Sequence, residues 1–336
     1  MIRRAVHEVY YYGFTVFCKH IKAIIKKDEM PYVIAKHKRA DDFTLKTIER
    51  LVSYNFYINK GKRLNLKQPE TFDEKINWSM IYDATSIKTR LVDKFLVRDY
   101  VKEKVGEKYL VPLLGAWNCF DDIDFSKLPQ KFALKLNNGS GMNIIVKNKD
   151  NLDLNAAKKK FDSWMQTNFA YRNFELQYRD VPQKILAEKY IEQHDGNLYD
   201  YKFHFYNGRM YVCQVIGDRD LDHHIAYQAF FDADWNRVNE SEGSYPDYKE
   251  TPAKPNNWEE MKQIAEKLAE DFNYVRIDLY SVNNTIYFSE YTFTPAAGHH
   301  PNFAPDSVDE KWGKNFMLPK KYMLELPKKK IRIKQN

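Results

Sequence analysis

An α+β fold with mostly antiparallel sheets is what this 336-residue sequence predicts, and three hairpin signals carry the prediction. Phe132, Leu134 and Leu136 alternate with Ala133 and Lys135 ahead of a Gly139-Ser140-Gly141 turn, and the β-branched run Ile144, Ile145, Val146 follows it. Asn207-Gly208, one of the strongest short hairpin signals, joins apolar runs at 201–206 and 209–215. Asn283-Asn284 joins two last strands at 275–280 and 285–291.

The remaining elements follow in order. Ile2, Val6, Val9, Gly13, Phe17, Ile21 and Ile24 recur at helical spacing between lysines and arginines, giving an amphipathic basic helix inside a helical N-terminal region, 1–66. Such a helix packs on its own domain or lies on a membrane. Its most apolar run, VYYYGFTVFC, is well short of the roughly 20 residues that span a bilayer. KHIKAIIKK follows in place of a small-residue cleavage site, which excludes a signal peptide. The main domain, 67–318, opens with the capping pattern Thr71-x-x-Glu74. A helix at 89–104, a loop with Pro112, strands at 131–136 and 143–147, a helix at 154–167 and a strand at 184–191 come next. Asn257 caps a helix that holds Met261, Ile264, Ala265, Leu268 and Phe272 on one face. A basic tail, 319–336, closes the chain.

Composition narrows the class. Hydrophobic residues at 43% and aromatics at 15% exclude disorder over most of the length. The net charge of +7 gathers at the two ends, which suits a membrane surface or nucleic acid, or simply solvated tails. Arginines and aromatics interleave in no RNA-binding motif, so no nucleic-acid partner is expected. Cys18, Cys119 and Cys213 lie far apart without C-x-x-C spacing. They imply neither a zinc site nor a disulfide framework and fit a reducing, cytoplasmic compartment.

The glycine turn raises the first chemical question. Glycines leave backbone N–H groups bare, so a G-S-G turn can fold around an anion, or it can be an ordinary hairpin turn. Lys135, on an otherwise apolar strand, calls for an anion nearby. Asp278 and Glu290 stand on paired strands and can face each other. Two hard oxygen ligands without histidine favour Mg²⁺ over zinc, although one exposed acid on each strand is the plainer alternative. Arg276 shares the face of Asp278 and either steadies a phosphoryl group or pairs with the acid. Glu188, Tyr190 and Ile191 end an apolar strand that can receive an adenine ring, and Lys202 either reaches a phosphate or forms a surface pair with Asp200. His223-His224 and His299-His300 are adjacent residues that point apart and cannot readily chelate one ion; the second pair contacts an acceptor or merely belongs to a loop. No Ser-His-Asp or Cys-His arrangement stands out. Asp232-Ala233-Asp234 matches the D-x-D pattern of glycosyltransferases superficially, and DADWN reads better as a plain strand-to-turn connection.

The order of these parts resembles the ATP-grasp fold, and more narrowly its TupA-like branch, named for teichuronopeptide synthesis in bacterial cell-surface polysaccharides. The resemblance covers roughly 68–318. It implies two α+β subdomains clasping ATP, a lid at about 89–185 and a C-terminal subdomain at about 186–318. It further implies that Lys94 and Lys135 hold the nucleotide phosphates and that Gly139, Ser140 and Gly141 close over the β- and γ-phosphates. Glu188, Tyr190 and Ile191 would line the adenine site, with Glu188 or Glu192 at the ribose. Lys202 and Arg276 would be the catalytic cations, and Asp278 and Glu290 the Mg²⁺ ligands. Thr292 stands where ATP-grasp ligases commonly carry asparagine as a further ligand. The activity implied is an ATP-dependent carboxylate–amine ligase working through an acyl phosphate, acting on a glycan or lipid-linked glycan precursor and an amine or amino acid. The cysteine usage points to the cytoplasm, and the basic N-terminal helix to peripheral contact at the inner face of the membrane. A sugar-nucleotide glycosyltransferase using Asp232 and Asp234 is the alternative.

Overall fold

A computed structural model describes residues 43–192, 198–220 and 225–324. The expected N-terminal basic helix, His223-His224 and most of the basic tail lie outside the described residues. Among those described, no helix is long and apolar enough to cross a membrane.

Helix α1 (Leu45–Lys60) starts where the Thr44 hydroxyl accepts from the Thr47 N–H and stops at Gly61, whose φ of 67° no β-carbon favours. Its Ile48, Leu51, Val52 and Tyr54 pack on Trp78, Met80, Ile81 and Tyr82 of α2 (Phe72–Tyr82). Thr71 and Glu74 close the reciprocal capping box at the start of α2, as the sequence predicts.

The helix expected over 89–104 is two helices, α3 (Ser86–Val92) and α4 (Val97–Lys104). Asp93 breaks it: its Oδ1 accepts from the N–H groups of Phe95 and Leu96 and from the Asn137 carboxamide. An aspartate that bonds the backbone ahead of it competes with helix continuation. The break sends Lys94 toward the glycine turn, where its N–H donates to the Asn137 carbonyl.

Four antiparallel strands, β1 (Leu113–Trp117), β2 (Phe132–Leu136), β3 (Asn143–Val146) and β4 (Ile185–Lys189), form one sheet in the order β1-β4-β2-β3. Phe132, Leu134, Leu136, Ile185 and Ala187 face Ala157 and Phe161 of α5 (Leu154–Met165). The opposite face carries Ala133, Lys135 and Glu188. Because β4 pairs with both β1 and β2, this sheet runs past the 185–186 boundary that the family resemblance implies. A single turn of helix, α6 (Ala170–Asn173), precedes β4.

Six antiparallel strands form the second sheet in the order β10-β9-β5-β6-β7-β8. They are β5 (Asp200–Tyr206), β6 (Arg209–Asp220), β7 (Ile225–Phe231), β8 (Arg237–Val238), β9 (Tyr274–Val282) and β10 (Thr285–Thr292). One face, with Phe203, Phe205, Val275, Ile277 and Leu279, is buried under Trp258, Met261, Ile264, Ala265 and Leu268 of α7 (Trp258–Ala269). Asn257 stands at the start of α7 but makes no side-chain cap; its carboxamide accepts from the Ser281 hydroxyl and donates to the Asn284 carbonyl instead. A final helix, α8 (Val308–Asn315), packs Trp312 on Phe72 and Phe230. The sequence reading missed β1, where LLGAW does not alternate, and β7, where IAYQAFF is a nearly continuous apolar run.

Candidate active site

The polar face of the six-stranded sheet is set by register. Gln214, Lys202, Asp278 and Glu290 are successive cross-strand partners on β6, β5, β9 and β10, so their side chains share one face. Glu290 reaches that row through a β-bulge. Phe288 pairs with Leu279 and Glu290 with Asp278, leaving Ser289 as the extra residue. Were Ser289 paired regularly, it would face Asp278, and Glu290 would sit opposite Ile277 and point into the core.

The charges in this row are tightly matched. Arg276 grips Asp278 with two bonds, from Nε to Oδ1 and from Nη2 to Oδ2, both 2.7 Å. The Lys202 ammonium donates to the same Oδ2 and stands 4.0 Å from Asp200. Arg276 Nη2 also lies 3.1 Å from the Thr292 hydroxyl and 3.8 Å from Glu290 Oε1. Burial alone would raise the Asp278 carboxyl; Arg276, and then Lys202, overturn that and hold it down at about 2. Arg276 and Lys202 therefore pair with the acid in this chain, and Lys202 bonds Asp278 rather than Asp200.

The four-stranded sheet supplies the opposing wall. Gly139 and Gly141 both take φ of 74°, and a β-carbon on Gly139 would fall 2.4 Å from the Phe169 ring, so the turn requires glycine there. The Lys94 ammonium donates to the Gly139 carbonyl at 2.7 Å and stands 3.6 Å from Glu290 Oε2, bridging turn and sheet. Burial pushes its pKa down against the pull of Glu290. Lys135 faces a cleft rather than a core, and the anion it finds is Glu188, 2.5 Å away. Arg98 approaches the other oxygen of Glu188 at 3.4 Å and donates to the Val111 carbonyl. Glu192 instead pairs with Lys131 at 2.8 Å on the cleft rim.

Two connected cavities lie between the sheets. One, of about 680 Å³, is lined by Val97, Leu110, Val111, Ala133, Ile145 and Phe288 together with Glu188, Tyr190, Ile191 and Glu192. The other, of about 490 Å³, is lined by Gly139, Ser140, Gly141, Lys202, Arg276 and Glu290. Lys94 and Lys135 line both. Of the residues that the family resemblance assigns to the ATP site, only Asp278 and Thr292 line neither. Asp278 lies beneath Arg276 and Lys202, and the Thr292 hydroxyl is turned to Arg276 and Glu290. His300 is fully buried and bonds Asp73, so it makes no direct acceptor contact.

The sequence profile of the family described as TupA-like ATPgrasp matches residues 74–317. This chain belongs to the TupA-like ATP-grasp family. Among solved structures, the ATP-grasp chain is similar to a D-alanine–D-alanine ligase from Bacillus anthracis complexed with ATP, at 14% identity and a TM-score of 0.39, over 61% of this chain and 56% of that one. It is similar to the Helicobacter pylori D-alanine–D-alanine ligase at 16% identity and a TM-score of 0.39, over 68% and 61%. A third is macrocyclase MdnC of Microcystis aeruginosa bound with precursor peptide MdnA, at 11% identity and a TM-score of 0.35, over 82% and 70%. The chain thus spans less than two thirds of the length of either D-alanine ligase. No curated protein sequence matches it.

The donor set of the ATP-grasp site fits magnesium in residue type. Glu290 opens to the cavity with a third of its side chain exposed, and Asp278 stands beside it, but the oxygens of Asp278 are held by two cations. Among the described residues, no group of three or more His, Cys, Asp or Glu is placed to hold a metal. A magnesium ion held by Glu290 and Asp278 would need phosphate oxygens to complete its shell.

Sequence reasoning missed Arg98, Glu175, Gln214 and Glu242. Glu175 is buried, accepts from the Thr294 hydroxyl at 2.6 Å, and is pushed up to about 7 by burial. No local pattern marks these four, because each gains meaning only from a partner far along the chain.

Proposed function

We propose that this chain binds Mg·ATP between its two sheets and uses it to join a carboxylate to an amine on a bacterial surface-glycan precursor. The observation that carries the reading is the convergence of Lys94, Lys135, Lys202 and Arg276 with the Gly139–Gly141 turn and Glu290 around one cavity, which opens into the largely apolar cleft. The cleft, with Val111, Ala133 and Tyr190, takes the adenine; Lys94 and Lys135 take the phosphates where the cavities meet. Arg276 and Lys202 neutralise the transferring phosphoryl group, and the turn amides close over it. Glu290 and Asp278 would hold Mg²⁺, which would add positive charge at the phosphate oxygens. The carboxylate oxygen displaces ADP from the γ-phosphoryl group. The acceptor ammonium loses one proton to solvent, its nitrogen attacks the acyl carbon, phosphate leaves with the bonding electrons, and the second N–H proton passes to the departing phosphate.

The glycosyltransferase reading has little support. Asp232 uses its oxygens on its own turn, accepting from the N–H groups of Asp234 and Asn236 and from the Asn236 carboxamide. Neither aspartate lines the two cavities described above.

The test is to incubate the protein with ATP, a sugar nucleotide and a glycan extract, following phosphate and nucleotide by NMR. A ligase yields ADP and free phosphate only when carboxylate and amine are both present. Phosphate retained on the acceptor makes it a kinase, and UDP release without ATP consumption makes it a glycosyltransferase.

A further inference from the structure

The 490 Å³ cavity has a second acidic wall beyond Glu290. Glu242, in the loop after β8, is 6% exposed and lines this cavity beside Ser244, Tyr245 and Gln214. Gln214 Nε2 donates to its Oε1 at 2.6 Å, and His300 Nε2 stands 3.2 Å from its Oε2. That His300 nitrogen is buried and makes no hydrogen bond in the protein. On the other side of the ring, His300 Nδ1 is 2.6 Å from Asp73 Oδ1, and the second Asp73 oxygen is 2.7 Å from the Lys60 ammonium. Lys60 also donates to the His300 carbonyl at 2.7 Å. Four segments distant in sequence thus converge to hold one carboxylate against the cavity.

Its charge is matched differently from those of Asp278, Glu188 and Glu290. Asp278 has Arg276 and Lys202, Glu188 has Lys135 and Arg98, and Glu290 has Lys94 and Arg276. Glu242 meets only a histidine and a carboxamide, with no lysine or arginine ion pair among the described residues. A buried carboxylate without a full cation is costly, and an incoming cation removes that cost. The cations on the Lys202 side of the cavity attract phosphate and repel ammonium. Gln214 links the two sides, since it is the cross-strand partner of Lys202 and the donor to Glu242.

We propose that Glu242 receives the ammonium group of the acceptor, a primary amine that is cationic in solution, and that His300, braced by Asp73 and Lys60, is the positioning residue for that carboxylate. The proposal rests on the ligase reading above and assigns its amine subsite.

The experiment is calorimetry on the full chain loaded with Mg²⁺ and a non-hydrolysable ATP analogue, titrated with glycine, alanine, ethanolamine and glucosamine, and with glycolate, lactate, ethylene glycol and glucose as their respective amine-free counterparts. At least one amine binds, its counterpart binds at least tenfold more weakly, and Glu242→Gln weakens the amine at least tenfold while the nucleotide analogue still binds. His300→Gln weakens the amine as well, and Glu242→Asp recovers part of what Glu242→Gln loses. Because these side chains are buried, the wild-type chain supplies a second measurement: the imidazole nitrogen-15 signals of His300 move on adding the amine and stay put with its counterpart. No binding by any amine, equal binding in Glu242→Gln, or an unmoved His300 signal overturns the subsite. Failure of the wild-type chain to bind the nucleotide analogue overturns the ligase reading instead.

Discussion

In the four-stranded sheet Lys135 meets Glu188 on a face left open to the cleft, with 23% of the lysine side chain exposed, whereas in the six-stranded sheet Arg276 and Lys202 close over an Asp278 side chain only 2% exposed. Both clusters line one site, yet they make different demands on the fold. An ion pair near solvent contributes about 0–1 kcal/mol, so its partners are free to exchange for a ligand. A buried pair contributes little as a pair, but losing one member strands a charge. The six-stranded sheet therefore holds its charges as part of its structure, and the four-stranded sheet holds its own ready to be traded for phosphate.

The most severe way to break that contrast is Asp278→Ala. It leaves Arg276 and Lys202 facing each other without an anion, and a loss of roughly 3–5 kcal/mol in urea unfolding is expected. The pH dependence has a definite sign. The folded carboxyl sits at about 2, below its ordinary 3.8, so the stabilisation is complete above 3.8 and disappears as pH falls from there through about 2. Acid unfolding of the variant lacks that step. A loss under about 1 kcal/mol would make the two sheets equivalent.

How far this contrast was legible beforehand depends on the residue. The glycine turn, the capping box at Thr71 and the facing of Asp278 and Glu290 all came from patterns a few residues long. The bulge that makes the facing possible was also written in the sequence. Ile286 and Phe288 keep one phase of alternation and Tyr291 and Phe293 the other, so a residue had to be inserted between them; β-periodicity tested in fixed windows passes over such a slip. The break at Asp93 was hidden because its decisive partner, Asn137, lies in another element. Glu242 carried no signal at all: its partners are Gln214 and His300, and through His300 Asp73, which only the assembled fold brings together.

A smaller effect, opposite in sign to that of Asp278, sharpens what pairing does. Glu175 is buried near Glu290 with the Thr294 hydroxyl as its donor, and burial moves its carboxyl from 4.5 to about 7. A raised folded pKa means the protonated form is favoured on folding, so stability falls as pH rises from 4.5 through about 7. Glu175→Gln removes that burden. Urea unfolding at pH 8 is expected to show a gain of roughly 3–3.5 kcal/mol, at about 1.4 kcal/mol for each pH unit between 4.5 and 7, with no gain at pH 4. An equal gain at both pH values would mean that shape, not charge, sets the effect.

The mildest change to stability, and the one that bears on function, is Lys135→Ala. Glu188 keeps Arg98, 3.4 Å away, and the lysine lies on a face already open to the cleft, so the folded chain loses about 1 kcal/mol or less. Nucleotide binding should respond more. Lys135 and Lys94 line both cavities, and removing one of two phosphate cations is expected to weaken a non-hydrolysable ATP analogue at least tenfold, about 1.4 kcal/mol. Calorimetry at two salt concentrations separates this from general electrostatics, because a contact shielded within the cleft keeps most of its effect when surface charges are screened. Unchanged affinity would remove Lys135 from the phosphate site. A loss of stability as large as that of Asp278→Ala would instead show the pair with Glu188 to be structural, and the open sheet would then hold its charges as firmly as the closed one.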